Sequence, residues 1–262
     1  MTRSVGAEGR WGGRVTSREL PDGTEELREL SPAVRQRLAQ IWWIQAATER
    51  RVATSFAIVR DALEALEAGQ PLVDLAARAI DDERRHAALC EDMAVRVLGR
   101  SVGRSPDLPM QRPEHPAARD ERERQALWIV GQCALNETFA SAYLSTAHKR
   151  CTSQLGRAAL HELLKDEIDH SRLGWAYLST LPRDLRESVS GWLVPLTVAN
   201  LREWRSVAVS DDVELEPLGV PHRDAVRAAL DEVVNGVLLP GFAHVGLDVR
   251  ALERWVARGA PT

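Results

Sequence analysis

One short pattern, Asp-Glu-x-x-His, occurs twice in this chain and limits its fold more than any other feature. The first copy is residues 82–86, in the stretch DDERRHAALC, and the second is residues 166–170, in the stretch KDEIDHSRLGW. Both stretches are typical of helix interior, where residues three apart lie on the same face. Glu83 therefore lies beside His86, and the same holds in the second copy. An acid and an imidazole that share an inward face need a chemical partner.

Apolar residues recur at helical spacing along four segments, at about residues 31–69, 72–98, 120–150 and 152–181. Ser31 and Pro32 are typical of a helix start, and strand signals are missing. The predicted class is therefore all-α. Each apolar stripe carries one Glu near its middle, and two stripes also carry a His. In chain order these residues are Glu49, then Glu83 with His86, then Glu137, then Glu167 with His170.

A long connection separates the second predicted helix from the third. Residues 101–120, SVGRSPDLPMQRPEHPAARD, are rich in Pro and turn formers, and about 20 extended residues reach roughly 65 Å. A helix of about 28 residues is only about 42 Å long. The sequence therefore predicts a four-helix bundle of two antiparallel hairpins, with a crossover connection between helices two and three.

The two ends of the chain differ from this bundle, which is predicted to occupy residues 31–181. Residues 1–30 are Gly- and Arg-rich and are expected to form a loosely packed N-terminal lead-in. Residues 182–262 show helical periodicity in SGWLVPLTVANLREW, in HRDAVRAALDEVVNGVLLPGF and near 248–257. We expect them to form a helical C-terminal extension that packs on the bundle.

Composition argues against several classes of function. The formal net charge is −4 with both signs interleaved, so the chain lacks the basic stripe of a nucleic-acid-binding protein. No apolar run approaches the roughly 20 residues that span a bilayer, and no signal peptide is evident, so we expect a cytoplasmic protein with no membrane partner. The three cysteines, Cys90, Cys133 and Cys151, form no Cys-x-x-Cys pair and are expected to be reduced thiols.

The repeated pattern is suited to metal binding. Four buried carboxylates without a counter-charge would be severely destabilising, whereas two divalent cations would balance them. Hard oxygen ligands with one imidazole per metal favour iron, with manganese or a mixed Mn/Fe pair also suitable, while zinc and copper match poorly. Two iron ions are therefore the expected cofactor. The alternative is a metal-free bundle that uses the same groups as a buried ion network.

These residues give the chain a family resemblance. A Glu followed by Asp-Glu-x-x-His, written twice over residues 31–181, resembles the ferritin-like di-iron carboxylate superfamily. The resemblance implies that Glu83 and Glu167 bridge two irons and that the other two Glu are terminal ligands. It also implies which residues serve each metal: Glu49 with His86 on one iron, and Glu137 with His170 on the other.

The same resemblance implies a role for the Asp before each bridging Glu. Each would bond the His of the opposite motif, pairing Asp82 with His170 and Asp166 with His86, and so fix the imidazole that binds metal. Tyr177 lies seven residues beyond His170 on the same stripe. It could donate a hydrogen bond or an electron to the site, or it could simply be a packed core tyrosine.

The superfamily divides chiefly into oxygenases or oxidases and iron-storing ferroxidases. We expect a non-haem di-iron oxidoreductase that uses O₂ or peroxide to oxidise a small organic substrate, because the C-terminal extension can wall off a substrate pocket. The alternative is a ferroxidase or an iron-storing or iron-buffering protein. A separate electron donor is expected, since no rubredoxin module is present, and a homodimer is possible.

Among oxygenases the double motif is most similar to the p-aminobenzoate N-oxygenase family. That family adds a seventh ligand, a His four residues before the second bridging Glu, where this chain has Leu163. His161 faces another way, so a six-ligand site is expected and the substrate is not named by the sequence. Small residues beside the predicted ligands, Gly174, Ala140 and Ser141, either leave space for a substrate or permit close helix packing.

Overall fold

The computed structural model describes residues 20–110, 114–206 and 211–259 and is all-helical over these ranges, without a β-strand. The predicted all-α class is confirmed. Residues 1–19 of the predicted lead-in lie outside the described residues. The α-helices, in chain order, are α1 (Thr24–Arg28), α2 (Pro32–Ala65), α3 (Gln70–Leu98), α4 (Glu121–Ile129), α5 (Glu137–Arg150), α6 (Gln154–Thr180), α7 (Arg183–Ser206), α8 (Arg223–Val233), α9 (Leu239–His244) and α10 (Arg250–Ala257).

The long helices begin and end where capping chemistry places them. The Ser31 side chain accepts a hydrogen bond from the Val34 amide at 3.3 Å, and Pro32 occupies the first position of α2. Residues 66–69 form the short turn to α3, and residues 151–153 join α5 to α6. No helix in the described ranges is long and apolar enough to cross a membrane.

The short helix α1 was not predicted, and it caps α6. The Glu26 carboxylate accepts hydrogen bonds from the Gln154 amide at 3.0 Å, the Leu155 amide at 2.9 Å and the Ser153 hydroxyl at 3.0 Å. The first amides of a helix have no partner inside the helix and favour a negative charge. Residues 24–28, within the predicted lead-in, therefore form a helix in contact with α6.

The third predicted helix is interrupted. Between α4 and α5 the chain forms a π-helix at Val130–Asn136, which holds one residue more per hydrogen-bonded turn than an α-helix. Gly174 of α6 packs directly on this segment, because a Cβ at Gly174 would overlap the backbone atoms of Cys133 and Ala134. Of the two interpretations of Gly174, the structure supports close helix packing.

The packing order follows from a few contacts. α2 packs against α3 along most of its length, α6 packs against α5 and the π segment, α3 packs against α6, and α2 packs against α4. Asp82 lies beside His170, and His86 lies beside Asp166, so α3 and α6 are antiparallel. The fully buried side chains between these helices include Phe56, Leu63, Met93, Leu127, Phe139, Leu163 and Leu173.

The helices after residue 182 pack on α4, the π segment and α5, or on one another. α7 contacts α4 and the π segment, α8 contacts α5, and α10 contacts α7. The buried Glu123 carboxylate joins α4 to α7, since it accepts hydrogen bonds from the Ser188 hydroxyl and from Trp192 Nε1 at 3.0 Å. Arg119 adds its backbone amide and its guanidinium, the latter at 3.0 Å.

This arrangement makes a pH-dependent contribution to stability. Burial alone would raise the pKa of Glu123, but the donors from Ser188, Arg119 and Trp192 hold it at about 2. Because the pKa is lower in the folded chain, the stabilisation is present above the unfolded value and disappears as pH falls towards 2.

We therefore predict that Glu123→Gln lowers the free energy of unfolding at neutral pH, by on the order of 1–3 kcal/mol. The difference between the variant and the parent chain should shrink as pH falls from about 4 to about 2, because the unfolded carboxyl takes up a proton there while the folded carboxylate stays ionised until about pH 2. Urea titrations at several pH values measure it. A difference that stays constant with pH would contradict this account.

A second prediction concerns Gly174. Gly174→Ala places a methyl group against the backbone of the π segment, so we expect a loss of about 3 kcal/mol in the free energy of unfolding. A Cβ at Gly191, inside α7, would have no neighbour within 4 Å among the described residues, and Gly191→Ala should be neutral or slightly stabilising. Equal thermal shifts in the two variants would show that close packing at Gly174 is unimportant.

Candidate metal centre

Six buried side chains from four helical units gather in the centre of the molecule. In one group, ligand atoms of Glu49, Glu83 and His86 all lie within 4.8 Å of one another. In the second group, ligand atoms of Glu83, Glu137, Glu167 and His170 do the same. Every one of these residues is buried. The structure thus brings together all six predicted ligands, in two groups that share Glu83.

The two Glu of the repeated motif lie between the two imidazoles. Glu83 places Oε2 3.4 Å from His86 Nδ1 and Oε1 3.1 Å from His170 Nδ1. Glu167 places Oε1 3.8 Å from His86 Nδ1 and Oε2 3.5 Å from His170 Nδ1. Each carboxylate therefore directs one oxygen towards each histidine, which is the arrangement that bridging two cations requires.

The outer nitrogen of each imidazole faces an Asp from the opposite motif. His86 Nε2 lies 3.2 Å from Asp166 Oδ2, and His170 Nε2 lies 3.4 Å from Asp82 Oδ2. These are the pairs that the family resemblance implied. The role of both aspartates in holding a metal-bound imidazole stays a prediction.

Sequence reasoning missed Arg85, which connects these two aspartates. Its guanidinium donates to Asp82 Oδ1 and, at 2.8 Å, to Asp166 Oδ2. Burial alone would raise the pKa values of Asp82 and Asp166. The facing imidazoles and Arg85 lower both pKa values below the usual range. The i, i+3 spacing from Asp82 was the available sequence signal. The contact with Asp166 depends on how α3 and α6 pack.

The terminal carboxylate of Glu137 has its own amide donors. Gln132 Nε2 and Asn136 Nδ2 both donate to Glu137 Oε1, the latter at 3.2 Å. Gln132 Oε1 accepts from the Ser55 hydroxyl at 2.7 Å, and Asn136 Oδ1 accepts from Trp204 Nε1 at 2.9 Å. Side chains from α2 and α7 thus fix the two amides that orient Glu137.

Glu49 is oriented in a simpler way, by Gln45 one turn earlier on α2, whose Nε2 donates to Glu49 Oε1. Gln45 could be predicted to lie beside Glu49, because residues four apart share a helix face. Gln132 could not be predicted to lie beside Glu137, because an unbroken α-helix does not place it on the stripe that carries Glu137. The π segment changes the phase of the helix and brings Gln132 round to the site.

Burial and neighbouring charges shift the pKa values of the residues in the cluster. The pKa values of the Glu49 and Glu137 carboxyls are raised well above the usual range, first by burial and then by the neighbouring carboxylates. Burial would also raise the pKa of Glu83, but the imidazoles of His170 and His86 hold it far below its usual value. The neighbouring carboxylates raise the pKa of both imidazoles although burial opposes this.

Several buried ligand-type atoms in the cluster make no hydrogen bond to the described part of the chain. They are Glu83 Oε1 and Oε2, Glu167 Oε2, His86 Nδ1 and His170 Nδ1. Buried polar atoms are nearly always satisfied, so five unsatisfied atoms in one place need an explanation. All belong to residues that can bind metal through those atoms, and the donor set of four carboxylates and two imidazoles fits a pair of divalent cations.

A cavity of about 710 Å³ opens onto the cluster from one side. Its lining includes all four clustered carboxylates but neither His86 nor His170. The imidazoles therefore lie on the far side, towards Asp82, Asp166 and Arg85. Helix α2, residues 108–110, the α4–α5 unit and α7 contribute the walls.

Tyr177 is not among the described residues that line the cavity. Its hydroxyl is buried without a hydrogen-bond partner in the described ranges, and burial raises its pKa. A role for Tyr177 at the site stays a prediction. His161 packs its ring against His148 at 5.9 Å, and Leu163 is buried. Cys90, Cys133 and Cys151 are free, buried thiols.

Comparison with other proteins gives no family: no protein-family model and no curated protein matches this chain.

The cluster predicts the effect of removing a bridging carboxylate. Glu83→Gln and Glu167→Gln each remove a charge that faces both imidazoles, so we expect bound metal to fall from about two per chain to one or none. Glu162→Gln is the matched control, since Glu162 is on α6 but pairs with Lys165 at 2.7 Å, outside the cluster. Elemental analysis for iron and manganese measures the change. Two metals retained in both cluster variants would refute the assignment.

Proposed function

We propose that this chain is a non-haem di-iron oxidoreductase that uses O₂ or peroxide to oxidise a small organic substrate. The observation that carries the proposal is the cavity of about 710 Å³ beside the four carboxylates. Its volume lies within the range of about 300–1,000 Å³ that is usual for small-molecule sites. Storage or buffering of iron has no need of such a space next to the metals.

We also propose that residues 31–181 form a ferritin-like four-helix bundle. The contacts between Asp82 and His170 and between Asp166 and His86 support an antiparallel α3–α6 pair. The three-residue connection supports an antiparallel α5–α6 pair. Helices α3 and α5 would then run in the same direction, which makes the connection between them a crossover.

Two iron ions are the proposed cofactor, with manganese or a mixed pair as variants of the same site. Glu49 and His86 would hold one ion, Glu137 and His170 the other, and both bridging Glu would contact both ions. Such a donor set suits Fe(II) or Mn(II), since oxygen donors dominate and thiolates are absent from both groups. When bound, the irons would supply the electrons that reduce O₂.

The remaining residues of the site have roles that follow from their contacts. Asp82 and Asp166 would hold the imidazoles in one orientation, and Gln45 and Gln132 would hold the terminal carboxylates. The cavity would bind the substrate on the carboxylate side and keep bulk water from it.

Helix α7 belongs to the proposed extension of residues 182–262 and would complete the substrate pocket. It contributes Leu196, Ala199, Asn200 and Trp204 to the cavity wall. Beyond the substrate and O₂, a separate electron donor is the expected partner, and a homodimer is a candidate assembly.

The proposal is tested by loading the metal-free chain with Fe(II) without oxygen and then admitting O₂. We expect oxidation of about two Fe(II) per chain, and no further uptake when Fe(II) is in excess, because the cluster has ligands for two metals only. Substrate-dependent O₂ consumption with a chemical reductant would then identify the reaction.

Iron content and O₂ consumption are the measurements, and Glu167→Gln serves as the inactive control. Continued oxidation and uptake of excess iron would favour the ferroxidase alternative. Failure to bind any metal would leave the cluster as a buried polar network.

A further inference from the structure

The cavity beside the cluster has large apolar side chains at its exposed edge, and its walls combine aliphatic and aromatic side chains with amide and hydroxyl groups. Two of the few large hydrophobic residues with high exposure, Ile44 at 40 % and Leu108 at 37 %, both line it. Deeper inside, the rings of Tyr143 and Trp204 lie 5.7 Å apart at 43° and form part of one wall. An entering molecule therefore meets aliphatic and aromatic surface before it reaches the carboxylates.

The charged side chains of the described lining are few. Outside the cluster they are Arg51 of α2 and Glu203 of α7, and these pair with each other, with Arg51 Nη2 3.1 Å from Glu203 Oε1. His115, another titratable lining residue, packs its ring edge-on against Trp192 at 5.4 Å. Outside the cluster, these two charges of the described lining thus already neutralise each other.

We propose that the substrate of this cavity is an uncharged, largely apolar organic molecule, and that the Arg51–Glu203 ion pair contributes to this specificity by holding both charges in a contact of their own. This inference rests on the proposed function, because a substrate implies a reaction. The binding preference itself does not depend on oxidation.

The physical reason is the cost of moving a charge into the cavity. A carboxylate that enters loses its hydration. It finds the Arg51 guanidinium already paired with Glu203 in a solvent-exposed contact, where the two side chains are 35 % and 53 % exposed, and so regains at most about 1 kcal/mol from that charge. An ammonium likewise finds Glu203 already paired with Arg51, and the cluster carboxylates already face imidazoles or accept hydrogen bonds from amide donors. An uncharged molecule meets neither cost and gains from burial of apolar surface.

Three molecules with the same ring system test this inference: 2-naphthylmethanol, 2-naphthoate and 2-naphthylmethylammonium. Isothermal titration calorimetry on the full chain, with and without metal, measures their affinities. We expect the alcohol to bind at least about tenfold more tightly than either ion, because only the ions lose charge hydration without gaining an unpaired counter-charge in the cavity. Equal or tighter binding of either ion, or no binding of the alcohol, would overturn the proposal.

Two single substitutions examine the ion pair itself. Glu203→Gln leaves Arg51 without its partner, and we expect the affinity for 2-naphthoate to rise about fivefold while that for the alcohol stays unchanged. Arg51→Gln should favour 2-naphthylmethylammonium by a similar factor. If neither change alters the preference for uncharged ligands, the ion pair does not contribute to specificity.

Two further variants control for binding elsewhere. Glu187→Gln removes an acid of α7 that pairs with Arg183 at 2.9 Å outside this cavity, and it should leave all three affinities unchanged. Ala140 lines the cavity one turn beyond Glu137, and Ala140→Phe should weaken binding of the alcohol at least about tenfold by filling the space. Unchanged alcohol binding in a folded Ala140→Phe chain would show that the probe binds at another place.

Failure of this inference can be told apart from failure of the proposed function. Preferential binding of the alcohol without any O₂ consumption would support the specificity of the cavity and contradict the oxidase. O₂ consumption that depends on a charged molecule would do the reverse.

Discussion

The mutual repulsion of four carboxyl groups in one buried space is the constraint on which the rest of this structure depends. Glu49, Glu83, Glu137 and Glu167 come from four different helical segments and meet in the buried interior. Without compensation such burial would cost far more than the few kcal/mol by which a domain is stable. The surrounding side chains supply the compensation, as imidazoles face the two bridging acids and amide donors hold the two terminal acids.

The all-α class and all six members of the cluster could be predicted from the sequence. Helical stripes show an acid among apolar residues, and the repeat of Asp-Glu-x-x-His makes chance a poor explanation of that arrangement. The helix bounds were also predictable to within a few residues, since Ser31, Pro32 and Pro182 are local signals. Local rules succeed here because the helices are long and their buried faces are continuous.

Contacts between distant segments could not be predicted in this way. Glu26 caps α6, Trp204 holds Asn136 and Arg85 joins the two aspartates, and each depends on how packed helices are placed. The small size of Gly174 was visible, but its purpose was not, because either open space or a close neighbour would select glycine. The lining of the cavity by α7 likewise follows from tertiary packing, which periodicity does not resolve.

The π segment at Val130–Asn136 divides one long helix into two parts whose rotational phases are set independently. Before it, Glu123 points towards α7; after it, Glu137 points towards the cluster. A regular α-helix turns by about 100° per residue, and a π segment fits one extra residue into the turn. If this segment became an ordinary helix without losing a residue, its two halves would therefore rotate against each other by roughly that angle. The chain would keep its helical content through such a change and still lose the alignment of Glu123 with Glu137. The π geometry of this segment is therefore as closely constrained as the identity of any single side chain.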